Sequence, residues 1–466
     1  MKLDLGVEQI ITKLDKASFE VAVVGGAVRD LLSNQAVTDW DLTTNAKPEE
    51  ILKLFKNGFY SNRFGTVGVP TGDQTVEITT YRREMGYSDK RHPDKVVWGK
   101  TLEEDLSRRD FTINAIALKK VESGKWKVES AKSNSQLSIL NSQFILADPF
   151  GGQKDLQSKI IRTVGDPDQR FQEDALRLLR AVRFATTLGF TIEEKTLAAI
   201  KNNANLLSQI SQERIRDEIF KILESENAAD GILLARQAGL LQIFLPELEV
   251  CFSVEQKSPK RHHIFDVGTH CVESLRNCPA KDIIVRFATL LHDIGKAKVA
   301  NVTEEGVRTF YNHEVVGGRQ ALDIARRLHL SKDQREKLYK LVRWHQFTVN
   351  ENQTDSALRR FIRNIGPENI EPMMDLRVGD RLGGGLQQPE SWRLKLFRAR
   401  LKEVMTKPFT VADLKVNGHD VMKILNIKPG PKVGEILSKL FEEVQEDAKK
   451  NEKSYLINKI TELKNS

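Results

Sequence analysis

Apolar and polar positions follow two different rhythms along this chain. Val21-Ala-Val-Val24 is an apolar run of strand length that stops at Gly25-Gly26 and gives way to Ala27-Val-Arg-Asp-Leu-Leu32, which opens a helix. Thr38-Asp39-Trp40-Asp41-Leu42-Thr-Thr44 reads as a second strand, and Thr75-Val-Glu-Ile-Thr-Thr-Tyr81 alternates as a third. From Met85 to Gly99 the chain is polar and punctuated by Gly86, Pro93 and Gly99, which predicts a mobile loop. At Glu173 the rhythm lengthens to a period of about 3.6 residues. Over Glu173–Ala185, Leu176, Leu179, Val182 and Ala185 share one side of a predicted helix, and Asp174, Arg177, Arg180 and Arg183 form a charged row on the other.

Each polar feature carries a chemistry. The strand, glycine pair and helix start place bare backbone N–H groups and Arg29 where a phosphate can sit, although glycine also serves many turns only for its φ freedom. Asp39 and Asp41 lie two apart on the predicted second strand and so point from one face. Like charges that close repel unless a cation lies between them, and Mg²⁺ suits one or two carboxylates completed by waters and substrate phosphates. In Arg108-Arg109-Asp110, which leads into an apolar helix or strand, Asp110 is placed to brace one arginine of a second phosphate clamp. Asp174 beside Arg177 offers an acceptor next to a fork of donors. That complements the edge of cytosine or adenine and opposes that of uracil or guanine; taken alone, the same spacing also fits an ordinary ion pair on an amphipathic helix.

Composition narrows the class without defining it. A chain of 466 residues, 40% apolar, has room for roughly three domains. Cys251, Cys271 and Cys278 form no metal-ligand spacing, the first residues lack the apolar core of a signal peptide, and no run approaches the ~18 apolar residues of a membrane span. A cytoplasmic protein with no membrane partner is expected. Basic residues exceed acidic ones by 72 to 64, an excess too diffuse to argue for nucleic acid alone.

Four motifs in order resemble those of the class II tRNA nucleotidyltransferases and the related bacterial poly(A) polymerases: Gly25-Gly26-Ala-Val-Arg29-Asp30, Asp39-Trp-Asp41, Arg108-Arg109-Asp110-Phe-Thr-Ile-Asn114-Ala115 and Glu173-Asp174-x-x-Arg177. The resemblance is strong over about residues 20 to 250 and continues less specifically to the end. It implies an α+β chain with a polymerase-beta-like nucleotidyltransferase head over 1–150, followed by all-α regions. These are a neck and body over 151–254 that bind nucleobase and tRNA, a further domain over 255–385 and a tRNA-binding tail over 386–466. It also implies addition of CCA to the 3′ end of tRNA from CTP and ATP, with Asp39 and Asp41 as catalytic residues holding two Mg²⁺. Gly26, Arg29 and Arg109 would bind the triphosphate, Arg180 and Arg183 would contact phosphate or sugar, and Asp174 with Arg177 would act as a protein template. The Arg83 to Gly99 loop corresponds to the lever that shifts the template between bases, which argues against an enzyme that adds C alone. An A-adding enzyme or a poly(A) polymerase of the same fold is the alternative. The polar stretch Val121 to Phe144 departs from the pattern and reads as a surface insertion.

A second constellation follows: His270, Leu290-Leu-His292-Asp293-Ile-Gly-Lys296, His313, Trp344-His345 and Asp380. These six ligand candidates, His270, His292, Asp293, His313, His345 and Asp380, resemble the HD superfamily of metal-dependent phosphohydrolases. Mixed imidazole and carboxylate ligands favour Mn, Fe, Co or Ni over structural zinc. The resemblance implies hydrolysis of phosphate esters, such as cyclic phosphates or 2′-phosphates on damaged tRNA ends. A second alternative is then an HD hydrolase carrying an inactive, RNA-binding head.

Overall fold

The Val21–Val24 run forms strand β1, buried along its whole length because both faces of the sheet are covered there. Val21 and Val23 point to one side, where the helix Leu5–Lys16 lays down Val7, Ile10, Ile11 and Leu14, one helical face, beside Ala27 and Val28. Ala22 and Val24 point to the other, against Tyr81, Leu102, Leu106, Ala115 and Ala117. The computed structural model describes residues 3–62, 65–72, 74–86, 95–120, 144–256, 265–304, 306–350, 352–405 and 411–465.

Around β1 lie β2 (Asp41–Thr44), β3 (Phe59–Asn62), β4 (Thr66–Thr71), β5 (Gln74–Thr80), β8 (Ala117–Lys120) and β9 (Phe144–Ala147), in the order β3-β4-β5-β2-β1-β8-β9. Neighbours are antiparallel except β2 and β5, which run parallel with Asp41 opposite Glu77. A further pair, β6 (Arg82–Met85) and β7 (Lys95–Trp98), forms a separate antiparallel ribbon.

Three local expectations change. The second strand starts at Asp41 rather than Thr38, because its antiparallel partner β1 ends at Val24, the residue opposite Asp41, where Gly25 turns the chain. The stretch expected as a loop from Met85 to Gly99 is partly the β6–β7 ribbon; its residues 87–94 lie outside the described residues, as does the expected insertion except Phe144. The helix expected over Glu173–Ala185 is two helices, Pro167–Glu173 and Leu176–Leu188, broken at Asp174 (φ −137°, ψ 103°). The carboxylate of Asp174 accepts the Leu176 N–H at 3.1 Å, a local side-chain bond that competes with continuing the helix.

Beyond β9 the chain is helical apart from short two-residue strands. One apolar core runs without interruption from Phe111 through Leu179, Ile222, Leu248, Cys271, Leu290 and Leu341 to Val404, crossing positions 254 and 385. A separate core, Leu414 to Ile460, belongs to the last helices, Gly418–Leu425, Pro431–Glu446 and Lys453–Asn465.

Candidate active site and metal centre

At the end of β1, Gly25 has φ +73° and ψ −139°, a backbone setting closed to side chains. A Cβ there would stand 2.9 Å from Nη1 of Arg109 and 3.3 Å from Oδ2 of Asp41, so bare backbone, a guanidinium and a carboxylate meet around one small space. Arg109 follows the helix Leu102–Ser107 and is held by the buried Asp105, 3.7 Å away, which also binds Arg108 at 2.8 Å. Burial pulls the Arg109 guanidinium down from its ordinary range, and its Nε has no hydrogen-bond partner. Arg29 donates to Asn114 Oδ1 at 2.9 Å and pairs with Asp30. Burial also raises the Asp41 carboxyl; Arg109 opposes this, while Glu77 and Asp39 add to it. Asp39 is exposed, one residue before Trp40 and outside the strand. A carboxylate desolvated beside two others is a site that a divalent cation would relieve.

The charged row resolves into separate attachments. Asp174 pairs with Arg214 at 3.0 Å, not with Arg177. Arg177 is buried; it binds Glu173 at 2.6 Å and donates to the carbonyls of Arg170 and Arg108, the latter at 3.0 Å. Asp110, expected to brace Arg108 or Arg109, instead takes Arg180 as its ion-pair partner and bonds the Asn114 amide at 3.1 Å. Arg183 pairs with Glu218 and stacks on Phe184 at 3.7 Å. Arg180 and Arg183, expected to meet phosphate or sugar, are therefore engaged by protein carboxylates, and with Arg177 they fasten the helix Leu176–Leu188 to the head and to the helix Gln212–Glu224.

Sequence reasoning passed over Asp105, Glu77 and the Asp174–Arg214 pairing. Asp105 stands three and four residues before the two arginines on a helix, a readable spacing. Glu77 and Arg214 carry no local signal, since sheet pairing and helix packing bring them in from 36 and 40 residues away.

All six ligand candidates of the second constellation converge, from five helices. His270 lies on the helix Val267–Arg276, His292 caps Ile283–Leu291 with Asp293 next, His313 opens His313–Arg327, His345 caps Lys332–Trp344 and Asp380 lies on Ile370–Gly383. Nε2 of His270 is 3.2 Å from Nε2 of His292, 3.2 Å from Asp380 and 3.5 Å from Asp293. The other Asp293 oxygen is 3.2 Å from His313 and 3.5 Å from His345. Two trios result, His270–His292–Asp293 and Asp293–His313–His345, sharing Asp293. Nδ1 of His292, His313 and His345 each meets the carbonyl three residues back, at 2.8, 2.8 and 2.7 Å, which leaves Nε2 turned inward.

Charge points the same way. Burial would lower His292, yet Asp293 and Asp380 lift it to about 10, so the carboxylates call for positive charge at the centre. Burial would likewise raise Asp293, but Lys296, 2.5 Å away, and His292 hold it well below the carboxylate range. Two imidazole nitrogens face to face among carboxylates fit a divalent ion between them. The cavity above them has a volume of about 380 Å³, and Phe310, Tyr311, Asn312 and Arg377 complete its wall.

The seven-stranded sheet with its carboxylates, and the helical body bolted to it, define a polymerase-beta-like nucleotidyltransferase head on a mainly helical chain. Three family profiles match in succession: "Poly A polymerase head domain" over residues 21–162, "Probable RNA and SrmB-binding site of polymerase A" over 189–252, and "tRNA nucleotidyltransferase domain 2 putative" over 317–460. The chain is 31% identical to the CCA-adding enzyme of Pediococcus pentosaceus over 456 residues, 97% of this chain and 96% of that one, and it belongs to the CCA-adding enzyme family. It spans about half the length of other relatives that match at higher identity; the Lactobacillus helveticus CCA-adding enzyme is 43% identical over 260 residues, 53% of this chain and 59% of that one. Among solved structures, the Bacillus stearothermophilus CCA-adding enzyme in complex with CTP superposes with a TM-score of 0.67 at 26% identity, covering 99% of this chain and 97% of that one. Among the described residues no helix is long and apolar enough to cross a membrane.

Proposed function

We propose that this protein adds CCA to the 3′ end of tRNA from CTP and ATP, in the cytoplasm, with 1–150 as the catalytic head, 151–254 as neck and body, and 386–466 as a tail that grips the tRNA. The observation that carries the reading is the cradle formed by Gly25, Arg109 and Asp41. The RNA 3′-hydroxyl attacks the α-phosphate, a new P–O bond forms, and pyrophosphate leaves. Gly25 and Gly26 leave room for the triphosphate, Arg109 and Arg29 neutralise it, and Asp39 and Asp41, with Glu77 opposite, would hold Mg²⁺. Bound there, Mg²⁺ supplies a lowered pKa for the hydroxyl and neutralises charge on the departing pyrophosphate.

Asp174 accepts from the exocyclic amine of cytosine or adenine, held in place by Arg214 and by the Leu176 N–H. Uracil and guanine present a carbonyl there, which offers no donor and sets acceptor against acceptor, a mismatch that can reach roughly 10⁴-fold. Arg177, anchored to Glu173 and to the Arg108 carbonyl, keeps the template in register with the phosphate clamp. The test is extension of tRNA transcripts ending before, after one and after two of the terminal cytidines, with CTP, ATP or both. Ordered addition that stops at CCA supports the reading; adenosine added only after CC would indicate an A-adding enzyme, and a long A tail on any RNA a poly(A) polymerase.

The second reading concerns 255–385, for which the shared Asp293 is the favouring observation. His270, His292, Asp293 and Asp380 would hold one divalent ion and Asp293, His313 and His345 another, drawn from Mn, Fe, Co or Ni, making this an HD phosphohydrolase domain. Ions bound there supply an acidified water for attack on phosphorus. Lys296 and Arg377 flank the pocket and offset phosphate charge. Release of phosphate monoester from 2′,3′-cyclic nucleotides with Ni²⁺, Co²⁺ or Mn²⁺ tests it, and no turnover with any of these ions would count strongly against it.

A further inference from the structure

We propose that Tyr311 is a base-stacking platform at the mouth of the histidine and aspartate pocket, so that the pocket binds a nucleoside phosphate rather than any phosphate ester. This rests on the hydrolase reading of the same site. Tyr311 lines the cavity yet remains 78% exposed, the most open large apolar side chain in the described residues. Its neighbours explain why it stands there. Asn312 adopts a left-handed φ of 61°, so the chain reverses between Tyr311, which faces outward, and His313, which is buried among the ligands. His313 Nδ1 lies 2.8 Å from the carbonyl of Phe310, which ties the turn to the metal-ligating side chain.

The ring is thus carried on a fixed support, two residues from a ligand. Among the described residues no ring or cation stacks on it, whereas Lys296 lies over its neighbour Phe310 at 5.5 Å. A cavity of about 380 Å³ is at the small end of ligand sites and matches one nucleotide rather than a folded RNA. Phosphate would sit deep, between Lys296, Arg377 and the histidines, and the base would lie outward on the tyrosine. An aromatic face accepts any base, so the preference is for nucleosides over plain esters and not for one sequence. The shared ligand chemistry is a nucleoside phosphate, either free or at the end of an RNA.

The test titrates the full-length protein calorimetrically, with and without Ni²⁺, with 3′-AMP and with inorganic phosphate, for wild type, Tyr311→Phe and Tyr311→Ala. Since the head also binds nucleotides, the difference between variants is the quantity read. Hydrolysis of 2′,3′-cyclic AMP and of an RNA ending in a 2′,3′-cyclic phosphate is measured in parallel. Tyr311→Ala is expected to weaken 3′-AMP and raise KM by about 5- to 100-fold, with kcat and phosphate affinity unchanged and Tyr311→Phe close to wild type. A KM effect confined to the mononucleotide or to the RNA supports the platform and names the source. Unchanged 3′-AMP affinity, or equal weakening of phosphate, overturns it. If wild type hydrolyses nothing while 3′-AMP affinity still depends on Tyr311, the hydrolase reading falls and the base platform stands.

Discussion

Replacing Gly25 by alanine separates the phosphate cradle from the rest of the enzyme. The backbone setting at φ +73° and ψ −139° costs a residue with a Cβ about 1–3 kcal/mol. The new methyl would also stand 2.9 Å from Arg109 Nη1, well inside a normal carbon to nitrogen contact. That clash is relieved not by moving backbone but by swinging the far end of Arg109, which among the described residues is tethered to the Asp105 carboxylate at 3.7 Å. The head therefore folds, somewhat less stably, and the guanidinium moves by up to about 1 Å to restore a normal contact. Displacing a positioning group by about 1 Å costs roughly 100-fold in rate. The assay is single-turnover addition of C and of A, with circular dichroism as the folding check. Both additions should fall together by about 30- to 300-fold, because the displaced group meets the triphosphate common to both nucleotides. Full activity, or loss of one nucleotide alone, would refute the cradle.

Other outcomes follow from the same geometry. Asp174→Ala should lower addition of both C and A and narrow their advantage over UTP by at least about 100-fold, read by extension with each nucleotide separately. Asp110→Asn leaves Arg180 without its carboxylate and should cost about 2–3 kcal/mol in denaturant unfolding of the head and neck, below the figure for a fully buried pair because Arg180 keeps 32% exposure. Burial would raise the Asp110 carboxyl, but Arg180 and the Asn114 amide hold it well below the carboxylate range. Its contribution is therefore complete above about pH 4–5 and fades as the pH falls through the folded pKa, so wild type should lose more stability on acidification than Asp110→Asn. In the second site, Asp293→Asn should abolish binding of both divalent ions and His345→Ala should lower metal content from two per chain toward one, measured by elemental analysis, while CCA addition is unchanged.

Much of this protein is written locally. An apolar run, a glycine pair and a helix start specify β1 and the turn after it, because strand burial and positive φ are properties of a few adjacent residues. The ligand candidates His270, His292, Asp293, His313, His345 and Asp380 could be named from residue type and order, and the fold brings all six together. What sequence could not settle was competition for partners. The periodicity puts Asp174 on one helix with Arg177, yet its own carboxylate breaks that helix by accepting the Leu176 N–H and takes Arg214, forty residues away. Asp110 was within reach of Arg109, but the packing of the helix Leu176–Leu188 delivers Arg180 to it, and Asp105 serves Arg109 instead.

Strand β1, the turn after it and the choice of candidate ligands were therefore determined by the sequence, since each depends on periodicity or donor chemistry within a short window. Pairing, by contrast, was decided by the tertiary structure: which acid holds which arginine, that Glu77 faces Asp41, and that Asp293 lies between two groups of histidines. Ion pairs and shared ligands are distance-limited, and only the packed core sets distances between residues far apart in the chain.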